Sequence, residues 1–101
     1  MKFAAVIEYN RDEDRIKAHF PAHRQYLRTF LENGQLLAAG PFADDCGALT
    51  IYEADTAEQV EGWIRGDPFH AAGIITSWQV RPLAYWSAKA AGPGKKTETA
   101  E

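Results

Sequence analysis

The chain has 101 residues, 46% of them hydrophobic and 25% charged, a composition typical of one small globular domain. Its net charge of −3 argues against nucleic acid as a main partner, because phosphate binding requires a basic surface. The single Cys46 cannot form an internal disulfide. The apolar run at the N-terminus stops at Glu8, which is too short for a signal-peptide core or a membrane span. These features predict a cytoplasmic protein with no nucleic-acid or membrane partner.

The sequence changes character near its C-terminal end. The segment 87–101 consists mainly of Ala, Gly, Lys, Thr and Glu and has almost no side chain large enough to anchor a fold. We therefore predict a folded domain over residues 1–86 and a disordered tail over residues 87–101.

The first half of the domain predicts a strand followed by a helix. Phe3–Tyr9 is mostly apolar and is typical of a buried strand. Arg15–Phe20 favours a helix, which Pro21 is expected to interrupt, because proline lacks an amide donor and fits best as the first residue of a new helix. Ala22–Asn33 is amphipathic, with Gly34 as its C-terminal cap. Its apolar stripe consists of Tyr26, Leu27, Phe30 and Leu31.

The second half predicts two strands, a helix and a last strand. The strands are Gln35–Ala39 and Ala48–Glu53, with a Gly-Pro turn and an acidic loop between them. A helix follows, capped by Asp55 or Thr56. Ile74–Leu83 alternates in polarity and completes the order β-α-β-β-α-β.

This order predicts the α+β class with a ferredoxin-like fold, in which both helices cover one face of a four-stranded antiparallel sheet. The other face is then bare, and a contiguous apolar patch usually marks an interface. We expect a homodimer that buries this face against its copy. The large groups expected on it are Tyr52, Trp78 or Ile75, Tyr85 and Trp86.

Two polar residues are candidates for chemistry. His23 shares a helix face with the apolar stripe, and an inward imidazole needs a partner, either a backbone carbonyl, a water or an acid. Asp67 precedes Pro68 and would cap a short turn. In a split βαβ fold the start of the first helix approaches the end of the second, so Asp67 and His23 are able to pair. The carboxylate would then orient the ring and leave its other nitrogen free for proton transfer.

The other candidate residues carry weaker signals. His19 and His23 are four residues apart, which suits two metal ligands on a helix, but Pro21 separates them and His70 is the sole remaining histidine. We therefore predict no metal and no cofactor. Arg81 is able to bind an anionic substrate or to form a surface ion pair. Tyr26 and His70 are further candidates for substrate binding, whereas the acidic loop around Cys46 disfavours it as a nucleophile.

Three segments, in this order, resemble the YCII-related family. They are Pro21–Leu27 (PAHRQYL), Gly34–Pro41 (GQLLAAGP) and Asp67–Phe69 (DPF). The resemblance covers about residues 1–85 and implies a dimeric α/β barrel of ferredoxin-like subunits. It also implies that His23 and Asp67 form an active-site pair. A related enzyme removes HCl from a quinol-type ring, and fold relatives include muconolactone isomerases, although function does not follow from fold alone.

Three functions are consistent with these residues. The first is a cofactor-independent lyase or isomerase, in which His23, oriented by Asp67, transfers protons on a small cyclic or aromatic substrate. The second is a dimer that binds a small ligand or another protein without turnover. The third, and least supported, is a metal-binding dimer that uses His19, His23 and His70.

Overall fold

The computed structural model describes residues 1–88. Its strands are β1 (Lys2–Tyr9), β2 (Leu36–Pro41), β3 (Gly47–Glu53) and β4 (Ile75–Pro82), and its helices are α1 (Glu13–Glu32), α2 (Ala57–Arg65) and α3 (Pro68–Ala71). The strands form one antiparallel sheet in the order β2-β3-β1-β4. This topology confirms the predicted ferredoxin-like plan. The predicted disorder of the tail lies, from residue 89 onward, outside the described residues.

Capping side chains fix where the two longer helices begin. Asp12 accepts a hydrogen bond from the Arg15 amide at 3.1 Å and starts α1. Thr56, rather than Asp55, caps α2 by accepting from the Gln59 amide at 3.1 Å. Such side chains satisfy amide donors that have no partner within the helix. Within residues 1–88, no helix has the length and apolar character that a membrane crossing requires.

The expected break at Pro21 is wrong, because α1 runs without interruption from Glu13 to Glu32. Proline in a helix interior removes one hydrogen bond and costs about 3 kcal/mol. Two helical turns precede Pro21 and three follow it. The Asp12 cap stabilises the first turn, and Ile16 and Leu27 pack against the core on either side of Pro21, so the helix continues past the proline.

One face of the sheet packs against the helices and forms the core. From β1 and β3 it receives Phe3, Ala5, Ile7 and Tyr52, all at most 5% exposed. The helices add Val60, Ile64 and Phe69, of which none is more than 1% exposed. The bulge between Glu8 and Tyr9 shifts the register of β1 against β4, and both Ile74 and Ile75 are buried beside it.

The opposite face of the sheet is not covered by helices in residues 1–88. Its centre is formed by the cross-strand pairs Ala4–Ile51 and Val6–Leu49. Val6 is 38% exposed and Leu49 40%. The expectation that Tyr52, Trp78 or Ile75 lie on this face is wrong, because the strand register turns all three toward the helices. The centre of the uncovered face is therefore made of smaller aliphatic side chains.

Candidate functional site

The centre of the candidate site is a contact between His23 of α1 and Asp67, which precedes α3. His23 Nδ1 lies 2.8 Å from Asp67 Oδ1 and 2.9 Å from Oδ2. Both residues are buried, with exposures of 8% and 5%. The two positions are 44 residues apart in the sequence, so the packing of α1 against the α2–α3 corner creates this pair.

Asp67 has a structural role as well as its contact with His23. Its Oδ1 accepts a hydrogen bond from the Phe69 amide at 2.9 Å and thereby caps α3. The cap fixes the carboxylate, and the carboxylate fixes the imidazole. The two roles considered for Asp67, cap and histidine partner, are therefore both filled by the same group.

The carboxylate assigns the tautomer of the His23 ring. A carboxylate accepts hydrogen bonds, so Nδ1 carries the proton and donates it to Asp67. In the neutral ring Nε2 then has a free lone pair. Within residues 1–88, Nε2 has no hydrogen-bond partner and is not sealed in the interior. The neutral ring of His23 thus presents its Nε2 lone pair to its surroundings.

Aromatic packing holds the plane of the His23 ring. The Phe69 ring lies parallel to it, with centroids 3.8 Å apart. Tyr9 meets the Phe69 ring edge-on at 5.4 Å. Stacked and edge-on pairs both give aromatic rings a preferred orientation. The imidazole is therefore fixed both by its hydrogen bond and by its ring face.

A cleft of about 790 Å³ opens beside the pair, between α1 and the helix-facing side of the sheet. His23 and Asp67 both line it. His23 is the one buried residue of α1, while Ile16, Leu27 and Phe30 of the same helix are only partly buried against the core. Leu27 and Leu31 of the predicted stripe line the cleft, while Tyr26 and Phe30 contact Trp63 instead. Its volume is in the usual range for small-molecule sites.

Two tyrosines contribute phenol groups to the cleft. Burial, and secondly the negative charge of Asp67, raises the pKa of Tyr9 to about 12. Burial is also the main reason that the pKa of Tyr52 rises to about 12. The Thr50 hydroxyl lowers this pKa, and the negative charge of Asp67 raises it further. Both phenols therefore stay neutral near neutral pH and are able to donate hydrogen bonds.

Comparison with known proteins adds the family. The model of the YCII-related domain matches residues 1–84. The chain belongs to the YCII-related family. The resemblance of the three sequence segments to this family is thereby confirmed.

Two curated sequences and a solved structure are similar to this chain. The Protein YciI sequences of Escherichia coli O6:H1 and Shigella flexneri are each 32% identical over 73 residues, covering 62% of this chain and 74% of the relative. A solved structure of similar fold is the 5-chloro-2-hydroxyhydroquinone dehydrochlorinase TftG of Burkholderia phenoliruptrix AC1100, in complex with 2,5-dihydroxybenzoquinone. Its TM-score is 0.72 at 22% identity, covering 85% of this chain and 96% of that one.

The structure places the three predicted substrate-binding residues outside the lining of the cleft. The Tyr26 hydroxyl donates to the Trp63 carbonyl at 2.6 Å. His70 lies edge-on to Trp78 at 5.6 Å. Arg81 pairs with Ala4 across the strands, on the uncovered face of the sheet. Their role in binding remains a prediction that this geometry does not favour.

The weak metal candidates do not converge. His19 Nδ1 contacts the Arg15 carbonyl at 3.0 Å, His23 is committed to Asp67, and His70 packs against Trp78. In the part of the chain that the structure describes, no group of three or more His, Cys, Asp or Glu side chains is arranged to hold a metal ion.

Sequence reasoning missed several residues that line the cleft. Thr50 and Tyr52 lie on one side of β3, and Leu49 and Ile51 lie on the other. The available signal was that two residues with hydroxyl groups share the buried side of this strand, where they line the cleft. Lys17, Arg24 and Arg28 recur at helical spacing, and that spacing was the signal for a basic row on α1. Both patterns became informative once the register and the helix orientation were known.

Proposed function

We propose that this protein is a small-molecule enzyme that uses His23 and Asp67 for general acid/base chemistry. The proposal rests on one observation: among residues 1–88, nothing bonds to His23 Nε2, which lies beside a cleft, while Nδ1 is held by the buried carboxylate. This is the arrangement that a general base requires. The reaction class is elimination, including dehydrochlorination, or isomerisation of a small cyclic or aromatic substrate.

The proposed step needs only the residues of this chain. His23 Nε2 takes a proton from the substrate, and the electron pair of the broken bond forms a new double bond. In an elimination, chloride departs with its bonding pair, so the net loss is HCl; in an isomerisation, the imidazolium returns the proton at another carbon. Asp67 stabilises the imidazolium that forms. Proton transfer of this kind contributes about 10²–10⁴-fold to the rate.

The similarity to a dehydrochlorinase supports the choice of reaction, although an identity of 22% carries only the fold. The first assay is chloride release from chlorinated hydroquinones, followed by isomerisation of small lactones. We expect His23→Gln to lower the rate by about 10²-fold or more. The matched control is His19→Gln, since His19 lies one turn earlier on α1 and does not line the cleft. Full activity of His23→Gln would refute the assignment.

The alternative is a dimer that binds a small ligand or a protein without turnover. It would be supported if the cleft bound such compounds while chloride release and isomerisation stayed at the rate without protein. The His23–Asp67 contact would then serve only to fix α1 against α3.

We also propose that the protein forms a homodimer through the uncovered sheet face. The aliphatic pairs Ala4–Ile51 and Val6–Leu49 lie at its centre, and the charged Glu8 and Arg81 lie toward its edges. An apolar centre with a polar rim is typical of interfaces between subunits. Light scattering at micromolar concentration is expected to give twice the chain mass, and Val6→Glu to give a monomer. A monomeric mass for the unmodified chain would contradict this interface. Cytoplasmic localisation likewise remains a prediction.

A further inference from the structure

The wall of the cleft formed by α1 is basic, although the chain as a whole is acidic. Lys17, Arg24 and Arg28 follow one another at spacings of seven and four, which places them along one face of the helix. Arg11, just before α1, also lines the cleft. Against these cations the cleft offers Glu13, Asp45 and Asp67. Four cationic side chains therefore face three carboxylates, which leaves a surplus of one positive charge in the lining.

These basic side chains are available to a ligand. Within residues 1–88, none of Arg11, Lys17, Arg24 and Arg28 takes part in an ion pair. The Arg24 guanidinium lies 5.7 Å from the centre of the Phe20 ring. Such a guanidinium is held beside an aromatic surface while its donors stay free.

An apolar strip runs beside the basic row on the same helix. Phe20 is 45% exposed and Leu31 is 49% exposed, and both line the cleft together with Leu27. Apolar side chains at this exposure gain free energy when a ring covers them. The wall formed by α1 therefore offers an apolar strip that an aromatic ring is able to cover and a basic row that is able to bind an anionic group.

The floor of the cleft contains a polar group without a partner. Within residues 1–88, the buried Thr50 hydroxyl oxygen forms no hydrogen bond of standard geometry, although it lies close enough to Tyr52 to oppose the rise in the pKa of that phenol. Thr50 as a whole is 3% exposed and lines the cleft. Buried polar groups are normally paired. Rotation about its first side-chain torsion moves the hydroxyl among staggered positions, so a ligand on the floor is able to pair with it.

We infer that the substrate of this cleft is a cyclic or aromatic acid, whose anionic group binds to Arg24 and Arg28 and whose ring covers Phe20 and Leu27. A polar substituent on the ring would bond to the Thr50 hydroxyl. This inference rests on the proposed function, since it places the reacting ring in the cleft that His23 faces. It goes further by naming the charge of the substrate and the residues that recognise it.

The test compares two probes of nearly equal shape, benzoate and neutral benzamide. Binding is followed by amide chemical-shift changes of the full chain at low and high salt. We expect benzoate to bind about tenfold more tightly than benzamide, with the difference reduced by salt. The variant Arg24→Gln/Arg28→Gln should remove that preference. Arg65→Gln is the matched control. Arg65 belongs to α2, lies over the ring of Trp78 and does not line the cleft.

A second variant tests the floor. The probe is salicylate, which is benzoate with an added hydroxyl group. We expect Thr50→Val to lower the affinity for salicylate by about threefold to tenfold more than it lowers the affinity for benzoate. Its urea midpoint should stay equal to that of the unmodified chain or rise, because the Thr50 hydroxyl forms no hydrogen bond of standard geometry within residues 1–88. A fall in the midpoint with unchanged salicylate binding would show that the hydroxyl has a purely structural role and would remove it from the site.

The results separate this inference from the proposed function. Equal binding of benzoate and benzamide, a preference that survives Arg24→Gln/Arg28→Gln, or no binding at millimolar concentration would each overturn the inference. The variant His23→Gln is expected to retain benzoate binding. If benzoate binds as expected but His23→Gln leaves turnover intact, the general-base assignment fails while the anionic substrate class stands.

Discussion

The substitution Asp67→Asn is a direct test of how the site is built. The introduced amide side chain keeps the shape of the carboxylate, so its oxygen can still accept from the Phe69 amide and cap α3. Its NH₂ group then occupies the place of Oδ2, which lies 2.9 Å from His23 Nδ1. Nδ1 also lies 2.8 Å from Oδ1, which remains an oxygen, but a proton on Nδ1 would still face the NH₂ group, and two donors repel each other at that distance. We therefore expect the ring to move its proton to Nε2 and accept from the side-chain amide at Nδ1.

The magnitude follows from the bonds that change. A charge-assisted hydrogen bond, worth about 1.5–3 kcal/mol, is exchanged for a neutral one worth about 0.5–1.5 kcal/mol. The expected loss in free energy of unfolding is therefore about 1–2 kcal/mol. Asp67→Ala should lose more, about 2–4 kcal/mol, because it removes the cap and leaves Nδ1–H without a partner.

Three measurements check this prediction. Long-range ¹H–¹⁵N correlation spectra of the imidazole should show the Nδ1–H form in the unmodified chain and the Nε2–H form in Asp67→Asn. Urea unfolding gives the loss of stability. Absorbance titration should show a lower pKa for Tyr9, because the charge of Asp67 is the second cause of its rise, although burial keeps the value raised. An Nε2–H ring in the unmodified chain would refute the proposed tautomer and with it the base.

Two further predictions concern stability. Tyr9 has a folded-state pKa of about 12 against an ordinary value of 10.0, so the folded chain holds its proton more tightly than the unfolded chain does. The resulting stabilisation, at most roughly 2–3 kcal/mol, is complete below pH 10 and is lost as the pH rises toward 12. Tyr9→Phe should lose less stability over that interval in urea unfolding, and an equal loss would contradict the assignment. A Cβ at Gly47 would lie 2.0 Å from the Ile7 carbonyl oxygen, so Gly47→Ala should cost about 2–4 kcal/mol. Gly40→Ala, where no heavy atom lies within 4 Å, is its control, and equal thermal midpoints for the two variants would refute the close approach.

Local sequence patterns determined the elements and their order. These patterns act between residues that are near in the chain. They are the apolar run Phe3–Tyr9, the alternation in Ala48–Glu53, the helical spacing around Val60 and Ile64, and the cap at Thr56. The element order then restricted the topology to the split βαβ plan. The error at Pro21 has a physical reason: the cost of one missing hydrogen bond is local, whereas the turns on both sides of it are stabilised by contacts that the local pattern does not show.

The site depended on contacts between distant residues. The sequence made His23 and Asp67 candidates, but their 2.8 Å contact spans 44 positions and requires the final packing of α1 against α3. The same packing decided which part of the apolar stripe joins the core and which lines the cleft, and the strand register decided that Tyr52 and Trp78 face the helices. Periodicity shows that a side chain lies on a given face of an element. Only the tertiary structure determines whether that face meets another element, a cleft or solvent, because burial depends on the placement of every neighbouring element at once.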